Sequence, residues 1–187
     1  MNDAADGTTL QAIALTPEAF APYGTVVSAF PSPDTPGASA PPGAFPINEG
    51  TTWRLDVLRD LDLQRAGGSP GLAVYSASAR RFPMALTVME RHQLGSQGFF
   101  PLTGARFVLV VAAAGPGPEG PRLRAFVTTG QQGVVLHPGT WHHALIAVES
   151  GSFAVMERFA AADGTPPDCD LAKLGTPVWL TLDHAPG

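Results

Sequence analysis

The residues of this 187-residue chain best equipped for chemistry are one carboxylate and a few imidazoles, gathered in two short stretches. Glu90 and His92 stand two positions apart in Met-Glu-Arg-His-Gln-Leu, and Gln97 follows after Gly95-Ser96. His137, His142 and His143, three of the five histidines, fall within seven positions beside Pro138-Gly139 and Trp141. Imidazole is the commonest metal ligand and exchanges protons near neutrality. A carboxylate, an imidazole, an amide and a second imidazole in one pocket can bind a divalent metal through N and O ligands. The same set can instead act without metal as an acid–base pair.

Either use needs a rigid support. Val134–Leu136 reads as a short buried strand, Pro138-Gly139 as a turn, and Trp141 onward as the returning strand. Alternation sends Trp141 and His143 to one face and His142 to the other, so at most one of the adjacent histidines looks into a cavity. Glu90 and His92, two apart on a strand predicted from Met84, project to one face.

Blander roles compete with these. Glu90 can form a surface ion pair with Arg91 or Arg158, worth little to stability. His92 can be a satisfied structural histidine, His137 can cap the turn before Pro138, and Trp141 can be a core or pocket-wall aromatic. Co-occurrence favours function, because two separate strand–turn segments carry histidine beside glycine and the one other histidine is His184. Arg54, Arg80, Arg81, Arg106, Arg122, Arg124 and Arg158 offer the bidentate fork that grips a carboxylate, although most are expected on solvated surface. Met156-Glu157-Arg158 is a weaker hint. Phosphate loops and Ser-His-Asp or Cys-His spacings are absent, and Cys169 is expected in a loop with no base beside it.

Around these residues the pattern is of short strands. Thr16, Pro17 and Glu18 mark a helix start, as N-cap, first helical residue and acidic first turn. Strands are predicted over Thr25–Phe30, Thr51–Leu58, Leu72–Ala77, Met84–Arg91, Arg106–Ala113, Leu123–Thr128, Gly133–Leu136, Trp141–Val148 and Ser152–Phe159. Glycine and proline turns separate them, which points to an all-β sandwich or barrel. Residues 31–46 hold six prolines and almost no charge, forming an arm or loop. The expected organisation is a flexible N-terminus over 1–12 and a single domain over 13–187 that includes the arm.

Composition narrows the function. Apolar residues at 44% and charged residues at 14% describe a globular chain. A net charge of −5 with scattered basic residues argues against nucleic acid as a partner. The longest apolar run, Phe107 to Ala114, is too short to span a bilayer, and no signal peptide is expected from the opening residues. One cysteine excludes an internal disulfide framework and fits a reducing cytoplasm.

Gly139-Thr140-Trp141-His142 resembles the second cupin motif, and Glu90-x-His92 with Gln97 and Gly104 resembles a degraded first motif. Residues 90–102 and 123–134, the Trp-His-His triplet and Asp-Cys-Asp at 168–170 are similar to the ureidoglycolate lyase family. Residues 15–24 and Ile47-Asn48-Glu49-Gly50 match that family's opening, so the likeness runs from about residue 13 to 174. The resemblance implies a cupin-type antiparallel β-barrel (jelly roll) with a short N-terminal helix, commonly a homodimer. It implies release of urea from ureidoglycolate to leave glyoxylate in allantoin breakdown. Glu90, His92 and His142 would be catalytic, with Asn48, Arg91, Gln97, His137 and Trp141 binding substrate. If a divalent metal (nickel, zinc or manganese) is used, Glu90, His92, Gln97 and His142 would hold it. The chain departs from the pattern at Leu136, where the family usually has Tyr, at Ser76, where Arg is common, and at Leu55-Asp56, which replace an aromatic residue and a His. A lost arginine weakens carboxylate recognition unless Arg80 or Arg81 substitutes, which leaves open a metal-dependent cupin enzyme on another small ureido or 2-oxo acid, or a non-catalytic ligand-binding cupin.

Overall fold

The computed structural model describes residues 8–161 and 167–183. In chain order its elements are β1 (Thr8–Ala14), α1 (Pro17–Phe20), β2 (Gly24–Ser28), β3 (Phe45–Ile47), β4 (Thr52–Arg54), β5 (Ser69–Ala77), β6 (Met84–Arg91) and β7 (Gln97–Pro101). After them come β8 (Phe107–Ala112), β9 (Arg124–Val127), β10 (Gln132–Leu136), β11 (Trp141–His142), β12 (Ile146–Ala147), β13 (Gly151–Phe159) and β14 (Asp170–Leu182). The helix starts where the sequence places it: Thr16 Oγ1 accepts from the Ala19 N–H at 3.2 Å and Pro17 takes the first helical position.

Six strands close into a barrel in the order β11-β6-β14-β1-β9-β8, sealed by pairing of β11 with β8; β12 continues alongside β8. The all-β barrel expected from the sequence is what forms, but its ladder is mixed, because β1 runs parallel to both β14 and β9. A second sheet, β2-β10-β7-β13-β5, covers one outer wall, and β3 and β4 make a separate hairpin.

Strand β8 shows how the layers are packed. Val108, Val110 and Ala112 point into the barrel bore, where Met84, Leu86, Met89, Trp141, Val178 and Leu180 fill the space. Phe107, Leu109 and Val111 alternate to the other face and meet Phe20, Phe126, Val134, Phe153 and Val155 between barrel and second sheet. Burial on both faces explains the unbroken apolar run at 107–112. Each wholly buried Phe or Leu contributes roughly 1.5–3 kcal/mol.

Several sequence expectations need correction. Thr8–Ala12 is no loose end but the first five of the seven residues of β1, whose backbone is satisfied by strands more than a hundred residues away; residues 1–7 lie outside the described residues. β7, β14 and the hairpin strand β3 were unexpected, and Thr51–Leu58 contracts to β4. The strand expected over 141–148 breaks at His143–Leu145 into β11 and β12. The proline-rich arm is irregular until Phe45-Pro46, which enter β3.

Candidate active site

Strands β6 and β11 lie side by side with His142 directly opposite Glu90, and Val111 of β8 completes the row. Trp141 fills the bore, so His142, one residue on, turns outward to the wall facing the second sheet, and Glu90 shares its face. The cluster thus lies between barrel and covering sheet, not in the packed bore. His92 is the first residue beyond β6, and its ring lies 5.3 Å from that of His142. Ligand atoms of Glu90, His92 and His142 all fall within 4.8 Å of one another.

Backbone carbonyls set both rings. His142 Nδ1 donates to Thr140 O at 3.0 Å, and His92 Nδ1 donates to Asp168 O. A carbonyl only accepts, so each Nδ1 carries a proton and each Nε2 is left buried and, among the described residues, without a partner. His142 Nε2 lies 3.5 Å from Glu90 Oε1. That is the long limit of a hydrogen bond. The His142 contact holds the Glu90 carboxyl below the usual carboxylate range, against burial, which pushes it up; His92 and His143 add to the lowering. A neutral His142 would aim a lone pair at a carboxylate oxygen, which a positive charge between them relieves, whether a proton or a metal ion. Two imidazole nitrogens and a carboxylate oxygen fit a divalent cation such as nickel, zinc or manganese.

Asp168, which sequence reasoning passed over, fastens this corner. Its Oδ1 accepts from Gln93 N at 2.9 Å and its Oδ2 from Leu94 N at 2.6 Å, while its carbonyl takes His92. The only sequence signal for it was the Asp-Cys-Asp resemblance. On the second sheet, Gln97 Nε2 donates to Glu157 Oε2 at 3.0 Å and Tyr75 Oη donates to Glu157 Oε1 at 3.4 Å. Burial, then the Glu157 and Glu90 charges, pushes the Tyr75 phenol up, so it stays protonated.

Other residues expected in the site lie elsewhere. Trp141 is in the bore because it alternates with His142. Arg91 stacks over it at 4.4 Å, bonds Asp170 at 2.9 Å and Gly115 O at 2.6 Å, and has no fork left for substrate. Asn48 is exposed in a left-handed turn (φ 49°) between β3 and β4, its amide 3.5 Å from Thr52 Oγ1. His137 is also exposed, on the turn whose Gly139 N–H donates to the His92 carbonyl at 2.6 Å. His143 bonds its neighbour's carbonyl, Ala144 O, at 2.8 Å and shares a small hollow with Phe99, Phe107 and Leu145; burial pushes its pKa down.

The arginines are likewise committed. Arg158 is buried and donates to Arg65 O and Ala66 O, Arg106 pairs with Glu149, and Arg54 pairs with Asp56. Arg80 and Arg81 line a separate cleft of about 440 Å³ with Phe82 and Asp183. Ser76 projects from the outer face of the second sheet, since its neighbour Tyr75 pairs with the wholly buried Phe153. An arginine at 76 would therefore not enter this pocket.

A family model described as ureidoglycolate lyase matches residues 7–181. A ureidoglycolate lyase of Burkholderia mallei (strain NCTC 10229) is 40% identical over 176 residues, covering 94% of this chain and 95% of its own. That of Pseudomonas syringae pv. syringae (strain B728a) is 37% identical over 92% of this chain and 94% of its own. The Burkholderia cepacia enzyme of the same name is 42% identical over 83% and 81%.

Proposed function

The chain belongs to the ureidoglycolate lyase family, and from that premise we propose that it splits ureidoglycolate into glyoxylate and urea, within allantoin breakdown, through Glu90, His92 and His142. The observation that carries the reading is the pair of buried, partnerless Nε2 atoms beside an ionised carboxylate.

The substrate is a carbinolamide. Its cleavage removes the hydroxyl proton, turns the C–O bond into C=O, breaks the C–N bond and returns a proton to the departing nitrogen. No water is consumed. Glu90, kept ionised by its histidine neighbours, takes the hydroxyl proton. His142, in contact with it at 3.5 Å, passes a proton to the urea nitrogen from Nε2, while Thr140 O holds its other nitrogen. His92, clamped by Asp168, orients the hydroxyl.

A second reading has a specific observation behind it. Each described arginine is engaged or placed away from the triad, so a substrate carboxylate has no guanidinium to meet there. A divalent ion held by Glu90, His92 and His142 would supply that charge and polarise the hydroxyl and carboxylate oxygens. Gln97 is a candidate fourth ligand. Assay of urea, glyoxylate and ammonia, with and without chelator, tests both readings. Equimolar urea and glyoxylate without ammonia is the expected product pair. Loss of rate on chelation, restored by one metal, selects the ion.

The assembly proposed is a homodimer through the outer face of the second sheet. Leu72 and Val74 stand 70% and 68% exposed there, beside Ala154, Met156 and Phe100 on the paired strands. Monomers rarely leave such an apolar face to water. The cytoplasm is the proposed compartment, supported by a single exposed free cysteine. Among the described residues, no helix is long and apolar enough to cross a membrane.

A further inference from the structure

We propose that Gln97 reads the ureido group of the substrate through its side-chain oxygen, and that Glu157 is the positioning residue that aims it. This deepens the function proposed above and rests on it. Gln97 opens β7 on the face that carries Phe99, whose ring is 6.5 Å from that of His142. Phe99 pairs with Val155, so two residues further along Glu157 stands opposite Gln97.

The amide is 5% exposed. Its Nε2 donates to Glu157 Oε2 at 3.0 Å, and Tyr75 donates to the other oxygen of the same carboxylate. A carboxylate only accepts, so the amide cannot turn over, and its Oε1 is left buried with no donor among the described residues. A buried carbonyl without a partner is costly, and the site is completed by a ligand that donates. The ureido end of ureidoglycolate presents N–H groups on two nitrogens, whereas its carboxylate end presents none. Gln97 therefore selects a ureido ligand over one of the same shape built from carbon, because the latter leaves the buried acceptor unpaired.

Two analogues isolate this contact. Hydantoate keeps the ureido group and carboxylate but lacks the hydroxyl, so it is not cleaved; levulinate replaces both nitrogens with carbon. Their inhibition constants against ureidoglycolate, with calorimetry on the full chain, give a preference ratio. The wild type is expected to favour hydantoate by about tenfold. Gln97→Met should bring the ratio to within about twofold, and Glu157→Met should do likewise by freeing the amide to turn. Glu157→Gln, whose carbonyl still accepts, should keep the preference.

A wild type that releases urea yet shows no preference overturns the assignment while leaving the function standing; a wild type that releases no urea overturns the function itself. An unchanged ratio in a folded Gln97→Met protein also overturns it, as does an unchanged ratio in Glu157→Met for the positioning role. Should Gln97→Met keep the ratio but lose binding of manganese or nickel, Gln97 is a metal ligand and the assignment fails.

Discussion

His142 and His143 are neighbours with opposite assignments. His142 faces Glu90 with a partnerless Nε2, whereas His143 is tied to the carbonyl beside it in an apolar hollow. His142→Ala is expected to lower the rate of urea release by at least about 100-fold with an unchanged circular dichroism spectrum. His143→Ala should instead cost about 1–2 kcal/mol of stability in denaturant melts and leave turnover nearly intact. The reverse pattern would mean that the two roles are exchanged; both rings lie on the side of Phe99, because β11 ends at His142 and alternation does not carry His143 into the bore with Trp141. Acid behaviour follows from the same residues. His143 is held neutral by burial, so the unfolded chain binds its proton at higher pH; stability is full above the ordinary histidine value and falls as pH drops toward the folded value. Glu90 is lowered, so its contribution is full above the ordinary carboxylate value and lost only as pH falls through a value beneath that range. Cys169→Ser should be silent, because burial and the surrounding carboxylates, Glu90 first among them, keep that thiol protonated. A large rate loss would assign it a role.

At the scale of elements, the triad depends on how the segment after β6 is tied to the start of β14. Asp168→Ala would release two backbone amides at Gln93 and Leu94, and with them the support of His92. The expected result is a fall in kcat of about tenfold with a preserved fold, partly recovered in Asp168→Asn; full activity in Asp168→Ala would make the clamp irrelevant. Gly130 is another fixed point. Its φ is +83° and an added Cβ would lie 2.1 Å from Gly104 O, so Gly130→Ala should cost at least about 2 kcal/mol in denaturant melts. The sequence made some elements plain and hid others. β6, β8 and β13 announce themselves as apolar or alternating runs bounded by turns. β7 begins with Gln-Gly and ends in proline, and β14 carries a register shift between Lys173 and Val178, so neither shows an unbroken period. β1, Thr-Thr-Leu-Gln-Ala-Ile-Ala, shows no clear period and is held as a strand by distant parallel partners that satisfy its backbone.

For the whole molecule, histidine placement made Glu90, His92 and His142 visible as candidates, but the wall they occupy was not. Alternation along 141–143 separates His142 from Trp141; only the closed barrel tells which of the two enters the bore. Glu157 stood out only as a weak hint and Asp168 only within the Asp-Cys-Asp likeness, since each meets its partner 60 or more positions away. The apolar outer face of the second sheet makes its own prediction. Replacing Leu72 and Val74 together by lysine should turn a dimer into a monomer in analytical ultracentrifugation, while an unaltered dimer would place the interface elsewhere.

The central claim is that Glu90 serves the chemistry of this pocket, and Glu90→Gln tests it with almost no change of volume. Urea and glyoxylate released from ureidoglycolate by wild type and variant are to be measured under identical conditions, with folding checked by circular dichroism. Equimolar products are expected from the wild type, and a rate at least about 100-fold lower from the variant. A folded Glu90→Gln protein that works at the wild-type rate would contradict that claim.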